Sequence, residues 1–355
     1  MTANANIRGI QVTAKVAPLL IIAVAAAVAL ASYPARAVTP DEDFAARCAP
    51  AAVVACYGFD APSDIASGIQ QAADGTTQGS LDTLTKSSGA GSLKFLLRKG
   101  ITTANIGGAW EGSLGKTFNV GDTIYVQWRQ MVSPEYLSNN LTHWGSSIKQ
   151  INIHGPSSTC QGAEFTTVTG NNTPKTANWP SMYTNCGIGF NTDTVTNVLC
   201  DIAGCPNGIL LQQGTTLLPS PNGSGYNCNY QNQFGGKGDG SGCFYPVANK
   251  WYTYYEKIFI GVFGGITSTV DAYVAVDGGP YKQFQRASQI RFDNGGDNNF
   301  TRARLETYMT ELPKGGSAST VDAFVWYDEL IVSTQPIAAP LVGPLPIPQN
   351  LRLTP

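Results

Sequence analysis

Histidine, methionine and charged residues are scarce in this chain of 355 residues, and their scarcity argues against several classes of protein. There are two histidines and four methionines, and Asp, Glu, Lys and Arg make up only 13% of the sequence. Zinc sites are built mainly from Cys and His, and the chain has no Cys-x-x-Cys pair, so a zinc protein is disfavoured. The formal net charge of −2 argues against nucleic acid as a partner, because proteins that bind it concentrate Lys and Arg.

Long apolar runs are also missing, apart from one near the N-terminus. Residues 17–31 are apolar, follow two basic residues and precede Ala35-Arg36-Ala37, which is the order of a secretory signal peptide and its cleavage site. We therefore interpret residues 1–37 as a signal peptide. This predicts a secreted chain, extracellular or periplasmic, with no membrane span after cleavage; an uncleaved N-terminal anchor is the alternative. Cleavage leaves 19 basic against 24 acidic residues, a net charge of −5.

The cysteines are the second signal of an oxidising compartment. All eight follow residue 37, and an even number behind a signal peptide predicts disulfide bonds. Proximity in sequence favours three pairs and leaves a fourth: Cys48–Cys56, Cys200–Cys205, Cys228–Cys243 and Cys160–Cys186.

Strand-like segments recur along the chain without alternating helices. They lie at residues 53–59, 92–97, 122–132, 147–154, 251–261, 270–276, 281–285, 302–310 and 323–333. Such a series, separated by Gly, Asn and Pro, predicts an all-β fold, an antiparallel two-sheet jelly-roll β-sandwich. We assign it to residues 51–335, with a disulfide-tied, Cys/Gly/Asn-rich loop insertion at 187–248. Residues 38–50 are predicted as a loose lead-in, and the Pro-rich residues 336–355 as a tail leading to a further module or assembly.

Two strands carry a polar row on one face. Alternation gives Tyr125, Gln127 and Arg129 on one strand and Gln150, Asn152 and His154 on the other. If both strands belong to one sheet, the two rows lie side by side. Amide and guanidinium groups suit sugar hydroxyls and carboxylates, and tyrosine rings suit sugar C–H faces, so polysaccharide is the predicted partner. A solvated outer sheet face is the alternative explanation.

Further candidates come from less decisive patterns. His154 is a possible general base, although a lone histidine is more often structural. The substrate-binding candidates are Tyr125, Gln127, Lys149, Asn152, Tyr183, Tyr255, Lys257 and Arg304, and the catalytic candidates are Arg129, Gln150, His154 and Tyr308.

Three segments together resemble strands of the concanavalin A-like lectin/glucanase jelly rolls. They are Gly121–Gln130, Trp251–Lys257 and Val325–Ser333, and they frame residues 53–335. Lys149-Gln150 and Pro180–Gly187 are similar to segments of secreted bacterial proteins. Within the superfamily, alginate-lyase-like enzymes have an Arg strand, a strand with Gln and His, and a late Tyr strand. Arg129 resembles the first, and Gln150 and His154 resemble the second. The sequence departs from that pattern in spacing Gln and His four residues apart and in lacking a Y-F-K-A-G-x-Y segment.

This resemblance implies a polysaccharide lyase acting on an alginate- or glucuronan-like polymer. Arg129 with Gln150 or Asn152 would neutralise the carboxylate of the sugar, and His154 or a tyrosine would remove the adjacent proton. Tyr308 or Tyr183 would protonate the leaving oxygen. A retaining glucanase is disfavoured because no E-x-D-x-x-E carboxylate set is present. A non-catalytic carbohydrate-binding module and a structural surface protein are the alternatives.

The same resemblance implies a structural calcium ion near the first and last strands. Asp60 and Asp328 are the expected ligands, since carboxylate oxygens suit calcium. The alternative role for Asp328 is to cap a backbone turn.

Overall fold

The computed structural model describes residues 37–72, 78–100, 107–137, 148–157, 163–170, 179–184, 215–216, 227–228, 246–265, 267–276, 278–290, 292, 297–308 and 321–341. The chain divides after Ala37, and all the described helices and strands belong to the second unit, Val38–Pro355. The helices are α1 (Pro40–Cys48), α2 (Pro62–Ser67) and α3 (Pro134–Leu137). Among the described residues, no helix is long and apolar enough to span a membrane.

Sixteen strands are described in chain order. They are β1 (Val53–Tyr57), β2 (Ile69–Ala72), β3 (Ser80–Asp82), β4 (Ser92–Leu97), β5 (Gly108–Asn119), β6 (Thr123–Val132), β7 (Ile148–His154), β8 (Glu164–Gly170), β9 (Trp179–Thr184), β10 (Thr215–Thr216), β11 (Asn227–Cys228), β12 (Tyr252–Phe259), β13 (Ser268–Val276), β14 (Lys282–Ile290), β15 (Asn299–Glu306) and β16 (Ala323–Ser333).

Two antiparallel sheets form the body of the protein. The eight-stranded sheet has the order β14-β13-β12-β6-β16-β4-β3, with β1 also paired to β16. The six-stranded sheet has the order β2-β5-β15-β7-β8-β9, and β10 and β11 form a separate ribbon. This arrangement confirms the predicted all-β jelly-roll sandwich.

A single hydrophobic core lies between the two sheets. Ile124, Val126 and Trp128 of β6 belong to the same buried cluster as Ile151 and Ile153 of β7. Full burial of one large apolar side chain contributes about 1.5–3 kcal/mol, so this alternation fixes which face of each strand points inward. The opposite side of each sheet, turned away from this core, is its outer face.

The two predicted polar rows do not lie side by side. β6 belongs to the eight-stranded sheet, whereas β7 pairs with β15 and β8 in the six-stranded sheet. The condition that both strands belong to one sheet is therefore not met. Alternation within a strand determines its two faces but carries no information about which distant strand it pairs with.

The predicted lead-in is a packed helix rather than a loose segment. Thr39 caps α1, and its side chain and that of Glu42 form a reciprocal capping box, which satisfies amide groups at the start of a helix. At its other end, the predicted disulfide Cys48–Cys56 is confirmed and joins α1 to β1.

The first residues of the predicted tail also pack onto the protein. Ile337 is 7% exposed and contacts Tyr255 and Ile331 on the outer face of the eight-stranded sheet. Leu341 donates its backbone N–H to Asp43 of α1 at 3.0 Å. The tail and α1 therefore cover part of the same sheet face, which gives their apolar residues a surface to bury.

The other three predicted disulfides cannot be compared with the structure. Cys160, Cys186, Cys200, Cys205 and Cys243 lie outside the described residues, and only the backbone of Cys228 is described, in β11. Of the insertion predicted at 187–248, the structure describes only β10, β11 and residues 246–248.

Candidate functional site on the six-stranded sheet

Charged and polar residues line the outer face of the six-stranded sheet at paired positions of neighbouring strands. Arg304 of β15 lies opposite Glu111 of β5 on one side and Asn152 of β7 on the other. One step along, Arg302 lies opposite His154. We call this surface the polar face; it comprises Glu111, Lys149, Asn152, His154, Glu164, Thr166, Arg302, Arg304, Glu306 and Tyr308.

Lys149 lies between two carboxylates at one end of the polar face. Its Nζ is 3.9 Å from Glu164 Oε1 and 3.8 Å from Glu306 Oε1. It also lies 5.4 Å from the centre of the Tyr308 ring, and its backbone N–H donates to the Tyr308 carbonyl at 3.0 Å. The lysine is only 5% exposed, so its positive charge is held next to the tyrosine ring in a largely desolvated place.

A register irregularity in β7 explains why Lys149 and Asn152 share this face. The pairing of β7 with β8 shifts between Lys149 and Ile151, and such a bulge changes the side to which side chains point. Gln150 therefore turns inward, where its side chain hydrogen-bonds Tyr254 of the shared core. The sequence pattern placed Gln150 beside Asn152 and His154, and the bulge separates it from them.

His154 is oriented through both ring nitrogens. Nδ1 lies 2.8 Å from the Gly155 carbonyl oxygen, and because a carbonyl only accepts, we assign a proton to Nδ1. Nε2 lies 3.3 Å from Glu111 Oε2. Burial raises the pKa of Glu111, but the interaction with His154 and the charges of Arg304 and Arg302 outweigh it and hold that pKa below its ordinary value.

Several buried polar atoms of this face have no hydrogen bond among the described residues. They are Asn152 Oδ1, His154 Nε2, Arg304 Nε and both carboxylate oxygens of Glu306. Arg304 Nε lies 3.2 Å from Glu306 Oε2, so the pair interacts by charge without good hydrogen-bond geometry. An unsatisfied buried polar group costs about 1–3 kcal/mol, so this concentration of them makes the polar face the candidate site.

The structure brings together five of the twelve predicted catalytic and substrate-binding residues. Lys149, Asn152, His154, Arg304 and Tyr308 belong to the polar face. Tyr183 lies opposite Thr166 in the pairing of β9 with β8, but its side chain lies outside what the structure describes. The remaining residues, apart from Gln150, lie on the outer face of the other sheet: Tyr125, Gln127, Arg129, Tyr255 and Lys257.

Arg129 belongs to a buried charge network that fastens α1 and the chain around Ser87 to the eight-stranded sheet. It is 1% exposed, lies 3.2 Å from Glu329 and donates from Nε to Thr253 at 3.1 Å. Arg47 of α1 binds the same Glu329 and also pairs with Asp43 at 3.0 Å. Arg129 is therefore bound by other residues of the protein, and it lies in the sheet that does not contain His154.

The two predicted calcium ligands make contacts that do not fit a metal ion. Asp328 accepts backbone N–H groups from Ser87 at 2.8 Å and Ser88 at 3.3 Å on one oxygen, and from Glu329 at 2.8 Å on the other. Burial and the neighbouring Glu329 raise the pKa of Asp328 well above its ordinary value.

Asp60 makes a similar contact, accepting the Gly91 N–H at 3.3 Å. Donor hydrogens aimed at an oxygen repel a cation there, and no group of three or more His, Cys, Asp or Glu among the described residues could hold a metal. Calcium at Asp60 and Asp328 therefore stays a prediction without support from these contacts, and thermal unfolding with and without calcium would test it.

Sequence reasoning missed Glu111 and Glu164 as members of this face. Glu111 lies in β5, whose sequence is atypical of a strand because it contains Gly112 and Gly115. Glu164 begins β8, in which Phe165, Val168 and three threonines are residue types typical of a strand and could have served as a signal. Arg302 and Glu306 could be recognised, because they alternate with buried Ala303 and Leu305.

The fold and this face define an all-β sandwich with a polar, charged outer sheet surface. No protein-family model matches the chain, and no curated protein is similar to it in sequence. Among solved structures, it is similar to the marine PL-14 alginate lyase from Aplysia kurodai, with a TM-score of 0.52 and 15% identity over 80% of this chain and 100% of that one. It also matches the endo-β-1,4-glucuronan lyase from the fungus Trichoderma reesei, with a TM-score of 0.44 and 12% identity over 75% and 90% of the two chains. The first likeness supports the predicted jelly-roll sandwich at the level of fold.

Proposed function

We propose that this chain is a secreted carbohydrate-active protein that binds a uronic-acid polymer on the polar face and cleaves it by β-elimination. The observation that carries the proposal is the grouping of three cationic side chains, an imidazole and a phenol on one sheet surface. The fold likeness to an alginate lyase is compatible with this activity, although a fold alone does not determine function.

The first requirement of β-elimination is a cation beside the sugar carboxylate. Neutralising that carboxylate makes the proton on the adjacent carbon more acidic, because charge that develops in the transition state is stabilised. Arg304 and Asn152 are directly opposite each other and both carry buried polar atoms without hydrogen bonds. We assign them this role in place of Arg129, which lies on the other sheet.

The second requirement is removal of one proton and delivery of another. With Nδ1 committed to the Gly155 carbonyl, Nε2 of His154 is the ring atom able to accept a proton. Removal of the proton next to the carboxylate forms a carbon–carbon double bond as the glycosidic carbon–oxygen bond breaks. Tyr308, next to the Lys149 cation, donates a proton to the departing oxygen.

A non-catalytic binding module is the second candidate function, and a specific observation favours it. Glu111 lies 3.3 Å from the basic nitrogen of His154, and Lys149 lies within 3.9 Å of two carboxylates. Groups held in ion pairs are less free to exchange protons with a substrate. These contacts must loosen when substrate binds if the protein is an enzyme.

The deciding experiment measures ultraviolet absorbance of unsaturated product after incubating residues 38–355 with alginate, glucuronan and a neutral glucan. We expect a rise on an acidic polymer, and a loss of about 10²–10⁴-fold in rate for His154→Gln. Lys116→Ala, an exposed lysine elsewhere, is the matched surface control and should keep the wild-type rate. Retention on an acidic polymer without product would favour the binding module, and neither retention nor product would refute the proposal.

A further inference from the structure

A second set of sugar-compatible side chains lies on the outer face of the eight-stranded sheet. Across β6, β12, β13 and β14, the register aligns Gln127, Tyr255, Tyr273 and Gln283 in one cross-strand row. The adjacent row contains Tyr125, Lys257 and Asp271. Neighbouring strands are about 4.8 Å apart, so the two rows lie side by side across four strands. The packed tail covers Gln127 and part of Tyr255, and the other residues of the rows remain partly exposed.

Tyrosine rings form the centre of this surface. Tyr255 stacks on Tyr281 with ring centres 4.9 Å apart and on Tyr125 at 6.3 Å, and it lies 5.7 Å from Tyr273. We call these four residues the tyrosine platform. Tyr255 is 7% exposed and supports the others, which remain partly exposed.

Contacts with the packed tail hold the platform in place. Ile337 of the packed tail lies against Tyr255, and Gln127 binds both the Tyr281 hydroxyl and, at 2.8 Å, the Ala338 carbonyl. Burial raises the pKa values of Tyr255 and Tyr281 above their ordinary range, so both phenols keep their protons. A fixed aromatic surface loses little conformational entropy when a ligand binds to it.

Polar groups beside the platform complete the chemistry. Gln283 donates from Nε2 to Asp271 at 3.0 Å, which places an amide and a carboxylate next to Tyr273. Lys257, opposite Tyr125 and Asp271, is partly exposed and has no ion pair within 4 Å among the described residues. An unpaired cation beside aromatic rings is complementary to a sugar ring that carries a carboxylate.

We propose that the tyrosine platform with Lys257 is a second binding site for acidic polysaccharide, on the opposite side of the sandwich from the polar face. Tyrosine rings would contact the C–H faces of the sugars, and Lys257 would contact a carboxylate. The choice of an acidic polymer rests on the proposed function. A protein held to one polymer chain through the platform has a raised local concentration of polymer at the polar face.

The test is electrophoresis in native gels containing alginate, compared with gels containing a neutral glucan and gels without polymer. Wild-type protein should be retarded only by the acidic polymer. The double variant Lys257→Ala/Tyr273→Ala should bind at least about tenfold more weakly, a loss expected from removing a charge contact and an aromatic contact. Lys116→Ala is the matched control and should migrate like the wild type.

The same protein samples separate this proposal from the proposed function. The double variant should cleave short soluble oligosaccharides at the wild-type rate, whereas His154→Gln should lose cleavage and keep its retardation. Retardation of the double variant equal to that of the wild type would overturn the platform proposal, as would retardation abolished by His154→Gln. If the double variant is unstable, Lys257→Glu alone reverses the local charge and should also weaken retardation by the acidic polymer.

Discussion

At the scale of single residues, Glu256 is the most unusual carboxyl group in the core. It lies on the inward face of β12, is fully buried, and accepts a hydrogen bond from Thr167 of the opposite sheet. Its second oxygen has no hydrogen bond among the described residues. Burial raises the pKa of Glu256 to about 8, although the Thr167 hydroxyl lowers it in part. The folded protein therefore keeps a proton that the unfolded chain releases near its ordinary value of 4.5.

Replacing Glu256 with Gln should change how stability depends on pH. In the wild type, the contribution of Glu256 to stability is fully present below the ordinary pKa of 4.5. It is lost as the pH rises to about 8, at about 1.4 kcal/mol per pH unit. Glu256→Gln lacks this loss. Its free energy of unfolding should therefore rise relative to that of the wild type across this pH range, by at most about 5 kcal/mol. Urea unfolding across the window measures the difference. Two curves that stay parallel at all pH values would contradict the raised pKa.

Arg129 provides the second prediction at this scale, because its contacts are those of a structural residue. Removing one partner of a buried ion pair typically costs about 3–5 kcal/mol. Arg129→Met should fall at the lower end of that range, since Glu329 keeps its contact with Arg47. Urea unfolding measures this, with Arg129→Lys as the control that keeps the charge and should lose less. A normal unfolding curve combined with lost polymer cleavage would return Arg129 to the catalytic set.

At the scale of elements, the positions of several strands could be predicted from the sequence. The segments predicted at 92–97 and 323–333 match β4 and β16, and that at 122–132 differs from β6 by one residue. β-Branched and aromatic residues alternate clearly in these strands. β5 was not predicted because its glycines interrupt the pattern. Glu111, the partner of His154, lies in β5 and was therefore missed as well.

The disulfide between α1 and β1 makes a prediction about these two elements. Cys48 and Cys56 are eight residues apart, and closing a loop of this size stabilises a protein by roughly 2–3 kcal/mol through the unfolded state. The double variant Cys48→Ser/Cys56→Ser should have a free energy of unfolding that is lower by that amount, and it should therefore unfold at a lower urea concentration. Limited proteolysis should then cut first between residues 38 and 52, because α1 loses its disulfide bond to β1. An unchanged urea midpoint and unchanged cleavage pattern would show that the charges of Arg47 alone hold the helix.

At the scale of the whole molecule, the candidate site could be predicted only in part. The residue types were recognised from alternation within each strand, but assigning the strands to two sheets requires pairings between distant segments. β6 pairs with β12 and β16, more than a hundred residues away. One set of candidates consequently divides into two surfaces, the polar face and the tyrosine platform, on opposite sides of one core.

Processing of the N-terminus is a prediction about the whole chain, and the structure of α1 sharpens it. Cleavage after Ala37 leaves Thr39 in place as the helix cap, together with its capping box to Glu42. Loss of Thr39 would remove a cap that contributes about 0.5–2 kcal/mol. Intact mass analysis of protein exported by a cell should therefore give a chain that starts at Val38. A mass that retains residues 1–37 would show an uncleaved anchor, and a chain starting after Thr39 should unfold at lower urea concentration than residues 38–355.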